Sequence, residues 1–384
     1  MSVEDHLLRI PGPTPIPPSV QQAMSQPMIG HRGTETKQLL QRLKPRLKQV
    51  FGTSQDVLML TASGTAGLEA AVVNTVRPGE KVLVLVTGAF GERFAKICDN
   101  HNLNVIRHDV EWGKAVSTDV IREYAEKHPD IKAVFATFCE TSTGVLNPVQ
   151  DLAEAVHSQT EALLIVDGVS AIGGAEVKMD DWGIDVLTTG SQKAMMLPPG
   201  LCFLAVSPNA WDVIEHNSSR PFYLDLVKYR DKLAEDSTPF TPGLSLLMGL
   251  EQVLNRIDDE GLSQVFDRHL LMKEMTRAAF REMNISLLTS DKDASPTVTS
   301  VQPANFDPEA LRKILKTEFG LDLAGGQQHM KGDIFRIGHM GYCSPADVLQ
   351  TISLIEIGVH KLSSGTTEPA YGTKAAQKIY LEWK

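Results

Sequence analysis

The stretch "DVLTTGSQKAMMLPPG", residues 185–200, joins an apolar strand to a lysine and then to a second apolar run. Lysine is among the residues that proteins bury least often, so Lys193 is unusual in such surroundings. An earlier apolar run, "ALLIVDG" at residues 162–168, ends in Asp167 in a similar way. Two strand-like segments that are each followed by an ionisable side chain indicate a sheet with a functional edge.

Short β-rich runs alternate with helical stretches from about residue 57 to residue 207. The runs "KVLVLVTG" (81–88) and "IKAVFATFCE" (131–140) are apolar along most of their length, which is typical of strands that are covered on both faces. Helical segments such as "GERFAKICDNHN" (91–102) and "PVQDLAEAVHSQ" (148–159) lie between the strands. The alternation predicts an α/β fold with a mostly parallel sheet sandwiched by helices.

The regular alternation of strands and helices ends before about residue 262, and a different pattern of predicted elements follows. A helical segment at 270–283 and a long amphipathic one at 344–362 surround the short strands "PTVTSVQP" and "IFRIG". We therefore predict three parts: an N-terminal arm over residues 1–20, a large domain over 21–262 and a smaller α+β C-terminal domain over 263–384. The last twenty or so residues are predicted to form a polar linker and a short terminal helix.

Bulk composition excludes several classes of protein. The chain has 384 residues and a net charge of −10 at pH 7, which argues against a nucleic-acid or anionic-membrane surface. The longest apolar runs are strand-length, well short of the roughly 20 residues that a membrane helix needs. The cysteines, Cys98, Cys139, Cys202 and Cys343, are scattered, so we expect neither a metal site nor a disulfide framework. A cytoplasmic protein with no nucleic-acid or membrane partner is the expectation.

Side chains that could carry chemistry follow five of the predicted strands. Ligands of open α/β sheets bind beyond the carboxyl ends of the strands, so these side chains are the first candidates for a site. They are the small turn Ser63–Thr65, the aromatic Phe90, the hydroxyls of Thr141–Thr143, the carboxylate of Asp167 and the amine of Lys193. A turn of small residues before a helix exposes backbone N–H groups that bind phosphate.

Each of these residues has a commonplace alternative when it is taken alone. Lys193 could be a solvated loop lysine, Asp167 could cap a helix, and Ser63–Thr65 could be a bare turn. Together they supply what pyridoxal phosphate requires: a Schiff-base lysine, a carboxylate for the pyridine nitrogen, an aromatic or apolar sandwich and a phosphate cradle. Burial would lower the pKa of the lysine and keep its amine neutral, as attack on a carbonyl requires.

Four segments carry a resemblance to a known family: "ASGTAGLEAA" (62–71), "ETSTGVLNP" (140–148), "LLIVDGVSAIGG" (163–174) and "GSQKAMMLPPG" (190–200). In this order they resemble the motifs of the class V, fold type I, pyridoxal-phosphate-dependent aminotransferases. The resemblance is strongest to the alanine–glyoxylate and serine–pyruvate or serine–glyoxylate aminotransferases, and it runs from "PGPTPIPP" to "RIGHMG". Cyanobacterial relatives labelled as a soluble hydrogenase small subunit belong to the same group.

The resemblance implies a role for each matched residue around the ring of the cofactor. Lys193 would be the catalytic Schiff-base lysine, and Asp167 would pair with the pyridinium nitrogen. Phe90 would stack on one face of the ring, where some relatives have tryptophan, and Val169 would pack on the other face. Ser142 would form a hydrogen bond near the ring hydroxyl or the substrate.

The resemblance also implies which residues hold the phosphate of the cofactor. They are Ser63, Gly64, Thr65 and Gln192. Thr241 would reach the phosphate of the neighbouring subunit's cofactor, which implies a homodimer with shared active sites. Some relatives have a tyrosine three residues before this threonine, but this sequence has another threonine there, so a second contact between subunits is not implied.

Arg336, in "DIFRIGHMG", would bind the α-carboxylate of the substrate, since a guanidinium group matches a carboxylate in a bidentate way. The implied reaction is ping-pong transamination, in which alanine or serine gives its amino group to glyoxylate or pyruvate. His31 and Arg32 could approach the mouth of the site.

Three other functions stay open. Phosphonate transaminases are related, although Arg336 favours a carboxylate. Cysteine desulfurases normally have histidine before the Schiff-base lysine, where this chain has Gln192. A hydrogenase-associated subunit would need clustered thiolates for a redox centre of its own, and the isolated cysteines do not supply them.

Overall fold

A computed structural model describes residues 6–363 and 369–383. The helices are α1 (Pro18–Met24), α2 (Thr34–Phe51), α3 (Gly64–Thr75), α4 (Ala89–Asn100), α5 (Asp119–Lys127), α6 (Val149–Gln159), α7 (Met179–Trp182), α8 (Pro208–Glu215), α9 (Leu226–Ala234), α10 (Leu244–Glu260), α11 (Leu262–Glu282), α12 (Pro308–Phe319), α13 (Pro345–Leu362) and α14 (Tyr371–Glu382). The strands are β1 (Leu7–Leu8), β2 (Leu58–Leu60), β3 (Lys81–Val86), β4 (Asn104–Asp109), β5 (Ala133–Thr137), β6 (Cys139–Glu140), β7 (Val145–Leu146), β8 (Leu163–Asp167), β9 (Val186–Gly190), β10 (Cys202–Val206), β11 (Val298–Val301), β12 (Leu321–Asp322), β13 (Ala324–Gly325) and β14 (Phe335–Gly338).

Seven of these strands form the central sheet, in the order β2-β10-β9-β8-β5-β3-β4. The pairs from β9 through β4 are all parallel. Only β10 runs the other way, because it is antiparallel to both β2 and β9. The predicted α/β fold with a mostly parallel sheet is confirmed.

Burial explains which apolar runs lie at the centre of this sheet. Every residue of β5, β8, β9 and β10 is buried, as expected for strands with helices on both faces. The edge strand β4, with the sequence "NVIRHD", is only half-buried or exposed. Strand β8, which ends at Asp167, and β9, which leads to Lys193, are therefore buried central elements of the sheet.

A second cluster of buried hydrophobic side chains lies towards the C-terminus. It is built by α11, α12, α13 and α14 against the antiparallel sheet β11-β14-β13. Helix α11 begins at Leu262, earlier than the helix predicted from residue 270. The predicted boundary between residues 262 and 263 falls within the first residues of α11. The division into domains stays a prediction. The predicted terminal helix is α14, whereas residues 364–368 of the predicted linker lie outside the described part of the chain.

The N-terminal arm ties this second cluster to the central sheet. Strand β1 pairs in parallel with β12, with Leu7 opposite Leu321. The buried Arg9 forms an ion pair with Asp347 in the first turn of α13. From there the chain passes the Lys193 loop and enters α1 at Pro18. The predicted extended arm is thus anchored from residue 7 onwards, and residues 1–5 lie outside the described part.

Within residues 6–363 and 369–383 no helix combines the length and the apolar character that crossing a bilayer requires. All four cysteines are buried free thiols. The same ranges contain no group of three histidine, cysteine or acidic side chains that could hold a metal ion.

His269 on α11 links the C-terminal cluster to a turn beside the Lys193 loop. Its ring is buried, with Nδ1 2.6 Å from the carbonyl oxygen of Val265 and Nε2 3.0 Å from the N–H of Gly341. Since the ring must accept at Nε2, it is neutral and donates from Nδ1. Burial lowers the pKa of His269 to about 3.

Lowering the pH from 8 to 5 should destabilise the protein in part through His269. The unfolded imidazole takes up a proton near pH 6.5, whereas the folded ring resists protonation down to about pH 3. The stability contributed by the neutral ring is therefore present above pH 6.5 and lost as the pH falls, by about 2 kcal/mol between pH 8 and pH 5. In urea unfolding, His269→Gln should lose that much less stability between the two pH values than the wild type. Equal losses in both proteins would contradict the assignment.

Candidate active site

The residues predicted after β8 and β9 meet at the carboxyl edge of the sheet. Asp167 ends β8 and lies in register with Thr137 of β5 and Thr188 of β9. Strand β9 ends at Gly190, and the loop that follows carries Lys193. Asp167 and Lys193 are close enough for the charge of each to act on the other.

Lys193 is buried, with 7% of its surface exposed. Its Nζ donates a hydrogen bond of 2.5 Å to the carbonyl oxygen of Pro11 in the N-terminal arm. Burial lowers the pKa of Lys193 to about 8, and the nearby Arg336 guanidinium pushes it in the same direction. A substantial fraction of this amine is therefore neutral near physiological pH.

Gly12 lets the arm lie directly against the lysine. A Cβ at this position would stand 2.5 Å from Cδ and 2.8 Å from Nζ of Lys193, and its φ of +115° is a conformation that other residues rarely adopt. The hydroxyl of Thr14 donates to the Lys193 carbonyl oxygen at 2.9 Å, and the Thr14 N–H donates to the Gln192 carbonyl at 3.1 Å. The Pro-rich arm is thus the cover of the lysine, a role that its sequence alone does not indicate.

Asp167 is the second buried ionisable group at this edge, with 4% of its surface exposed. Its Oδ1 accepts the N–H of Val169 at 2.9 Å. Burial raises the pKa of Asp167 to about 6, which the Val169 N–H opposes and the charge of Glu140 reinforces. Val169 packs near the start of α3, where a Cβ on Gly64 would lie 3.1 Å from its Cγ2.

The predicted phosphate cradle is the start of α3. Ser63 caps this helix by accepting the N–H of Ala66 at 3.3 Å. The N–H groups of Gly64 and Thr65 have no protein acceptor among the described residues. Gln192 packs against Gly190 on the facing loop, and its buried Oε1 has no hydrogen-bond partner there either. The free N–H donors of Gly64 and Thr65 are therefore placed as an anion site requires.

Phe90 is half-buried in the first turn of α4. The guanidinium of Arg93 lies over one face of its ring, 4.7 Å from the centroid, and Nη1 donates to the Thr65 hydroxyl at 3.3 Å. If Phe90 stacks on a cofactor, the other ring face must receive it. Arg93 was not predicted, although its position one helical turn after Phe90 is a signal that could have identified it.

Ser142 and Phe90 share a neighbour, Glu140, that was not among the predicted site residues. The Ser142 hydroxyl donates to Glu140 at 2.5 Å and accepts the N–H of Ala89 at 2.9 Å. Glu140 is completely buried, which raises its pKa, while the donors around it oppose that rise. An acidic residue at the end of an apolar run was the same signal that identified Asp167.

Arg336 on β14 is buried, with 6% of its surface exposed. Its Nε and Nη2 donate to the carbonyl oxygen of Gly325 at 2.9 and 2.8 Å, and Nη1 donates to that of Thr141 at 2.9 Å. These bonds use three of the five N–H groups of the guanidinium, so two are left for a carboxylate. Burial lowers the pKa of Arg336 to about 10, which still leaves it charged at neutral pH.

Thr241 is set apart from the other predicted residues, because it is exposed on the surface of the chain. Thr238, at the position of the relatives' tyrosine, is buried and donates to the Phe240 carbonyl at 2.7 Å. Arg32 holds this segment by donating to the Ser237 hydroxyl and to the Thr238 carbonyl oxygen. Arg32 is thereby committed to the segment that presents Thr241.

The donor set fits pyridoxal phosphate. The free N–H groups of Gly64 and Thr65 suit a phosphate, to which the side-chain N–H₂ of Gln192 would add a donor. The buried carboxylate of Asp167 suits a ring nitrogen, and the buried amine of Lys193 suits an aldehyde carbon. These residue roles stay predictions.

Comparison with known proteins gives a consistent result. Residues 7–343 match the family model described as aminotransferase class-V. The small subunit of a soluble hydrogenase from Synechococcus sp. is 39% identical, over 97% of this chain and 98% of that protein.

Two further relatives are named as enzymes. A serine–glyoxylate aminotransferase from Hyphomicrobium methylovorum is 35% identical, over 98% of this chain and 97% of that protein. An L-aspartate–glyoxylate aminotransferase from Paracoccus denitrificans is 34% identical, over 97% of this chain and 96% of that protein.

The rate at which cofactor-free protein captures pyridoxal phosphate should follow the titration of Lys193. The reactive neutral amine increases as the pH rises through its pKa of about 8, so the rate constant should grow about tenfold from pH 7 to pH 9 and then level off. The growth of visible absorbance after mixing measures this rate, and Lys193→Ala, which lacks the amine, should show no such growth. A rate that keeps climbing through pH 10 would contradict the lowered pKa.

Proposed function

The chain belongs to the aminotransferase class-V family, and we propose that it is a pyridoxal-phosphate-dependent transaminase that acts on small amino acids and 2-oxo acids. The observation that carries this proposal is the buried Lys193, held at the edge of the sheet by the Pro11 carbonyl and accompanied by the buried Asp167. Burying an amine costs free energy, and ionisable groups that are buried with a shifted pKa are concentrated at functional sites.

Alanine or serine is the proposed amino donor, and glyoxylate or pyruvate the proposed acceptor. Glyoxylate appears in the names of both aminotransferase relatives, whereas their donors differ. Arg312 is the arginine whose charge acts on Arg336, but it already pairs with Glu309 and donates to the Leu323 carbonyl. With Arg312 committed, the surroundings of Arg336 favour a donor with a single carboxylate over aspartate.

Pyridoxal phosphate, when bound, supplies an electron-withdrawing ring that stabilises negative charge on the carbon next to the amino group. The ionised Asp167 would hold a proton on the ring nitrogen. The N–H groups of Gly64 and Thr65, with Gln192, would bind the phosphate. Phe90 and Val169 would keep the ring in plane between them.

Lys193 is the residue that moves protons in this proposal. Its neutral amine can take a proton from the substrate carbon and return it elsewhere, acting first as a base and then as an acid. A pKa of about 8 is close to the working pH and suits both roles. The arm at Pro11 and Gly12 covers the amine and excludes water.

We propose that the enzyme works as a homodimer in which Thr241 contributes to the partner's phosphate site. Thr241 is exposed and directly follows Phe240, whose ring lies 5.6 Å from that of Phe222. Phe222 is 76% exposed and Met28 is 68% exposed. The exposed Phe222 ring beside Phe240 and next to Thr241 favours a surface that is covered in the assembly.

The chemistry of the cysteines disfavours the two alternatives that depend on thiols. A desulfurase needs an accessible, reactive thiolate, but Cys343 is buried and burial raises its pKa to about 11. A redox centre of the hydrogenase kind needs clustered thiolates, whereas the four thiols of this chain are buried and free.

Addition of L-alanine or L-serine to the cofactor-loaded protein should shift the visible absorbance band, and glyoxylate or pyruvate should restore it. L-Aspartate should need a higher concentration, since Arg312, whose charge acts on Arg336, already pairs with Glu309. Arg336→Gln should raise the donor concentration for half-maximal shift about 100-fold, because a charged bidentate contact is lost.

The matched control is Arg312→Gln, which removes a neighbouring guanidinium that is already paired and should leave the shift near wild type. A protein whose band responds to none of these donors would overturn the proposed function. Equal donor requirements in the two arginine variants would remove Arg336 from the site.

A further inference from the structure

Glu140 is a completely buried carboxylate to which neither the family resemblance nor the mechanism gives a task. It accepts the backbone N–H of Phe90 at 3.1 Å and that of Gly91 at 3.0 Å. From its own loop it accepts the N–H of Ser142 at 3.1 Å and the Ser142 hydroxyl at 2.5 Å. These donors surround both oxygens and oppose the rise in pKa that burial causes.

Together Glu140 and Ser142 close the start of α4. The first N–H of this helix, from Ala89, donates to the Ser142 hydroxyl at 2.9 Å, and the next two donate to Glu140. Gly88 at the N-cap contributes no side-chain cap of its own. A Cβ on Gly88 would stand 2.5 Å from Cδ of Glu140, so glycine is required there for the carboxylate to approach.

The two helices that start at this edge of the sheet therefore differ. Helix α3 leaves the N–H groups of Gly64 and Thr65 without a protein acceptor in the described chain, whereas the corresponding groups of α4 are all occupied. An anion that reaches this edge finds free donors at α3, whereas the donors of α4 are already bonded to Ser142 and Glu140.

We propose that Glu140 is a positioning residue of the cofactor site, which fixes the backbone of Phe90 and the hydroxyl of Ser142 and reserves the phosphate for α3. The inference rests on the proposed function, since it assigns Glu140 a role in holding pyridoxal phosphate. Glu140 acts through Phe90 and Ser142 and does not itself contact the substrate.

Glu140→Gln is the direct test, because the amide keeps the shape of the side chain but replaces one acceptor with a donor. The new N–H₂ group must face N–H groups of Phe90 and Gly91 or of Ser142, so the first turn of α4 shifts. We expect the dissociation constant of pyridoxal phosphate, from absorbance titration of cofactor-free protein, to rise about tenfold.

Glu356→Gln is the matched control. Glu356 is also a buried carboxylate, and it accepts the N–H groups of Gly372 and Thr373 and the Thr373 hydroxyl at the start of α14. It lies in the C-terminal cluster, so its substitution should lower the unfolding temperature and leave cofactor affinity unchanged.

A double-mutant cycle with Phe90→Ala separates positioning from general damage. If Glu140 acts through Phe90, Glu140→Gln should weaken cofactor binding much less in the Phe90→Ala background than in the wild type. Fully additive losses, or a loss of unfolding temperature with unchanged cofactor affinity, would overturn the proposal. If the wild type does not bind pyridoxal phosphate at all, the proposed function and this inference are both overturned. If the wild type binds it but Glu140→Gln leaves the affinity unchanged, only this inference is overturned.

Discussion

The hydrogen bond between the Lys193 amine and the Pro11 carbonyl is the interaction on which the arrangement of the site depends. It requires a lysine at the end of a central strand and an arm that crosses from the C-terminal cluster to cover it. Strand β1 and the Arg9–Asp347 ion pair anchor that arm on one side, and Thr14 anchors it on the other. Burial under this cover is what lowers the pKa of Lys193 and makes its amine useful as a base.

Three buried charged groups besides Lys193 are distributed around the same edge, and each is compensated differently. Asp167 has one backbone donor and a raised pKa, so it is poised to pair with a positive ring nitrogen. Glu140 accepts hydrogen bonds from Phe90, Gly91 and Ser142, so its acceptors are taken up by the protein and not by a ligand. Arg336 spends part of its guanidinium on two carbonyl oxygens and keeps the rest for a ligand. The unequal compensation separates groups that bind from groups that position.

Much of the fold and of the site could be predicted because the signals are local. The apolar runs that became β5, β8, β9 and β10 are buried on both sides, and Asp167 and Lys193 follow two of them directly in the sequence. Long-range approaches could not be predicted in this way. Gly12 is one of several glycines near prolines in the sequence, and only the fold shows that a Cβ there would stand 2.5 Å from Cδ of Lys193.

Arg93 and Glu140 were not predicted, and Thr241 was predicted only through the family resemblance. Arg93 carries a local signal, since it lies one helical turn after Phe90, but its contact with Thr65, 28 residues away, depends on how α3 and α4 pack. Glu140 carried a local signal, but its neighbours in "ETSTG" offered more familiar hydroxyl chemistry. Thr241 could be placed at a partner's site only through the family resemblance, because a single chain shows it simply as exposed.

Lys193 is the amine that we propose captures the cofactor. Reduction of the pyridoxal-phosphate-treated protein with borohydride, followed by proteolysis and mass spectrometry, tests it directly. We expect a single stoichiometric pyridoxyl modification on the peptide that contains Lys193. Modification spread over exposed lysines, or concentrated on a different one, would contradict it.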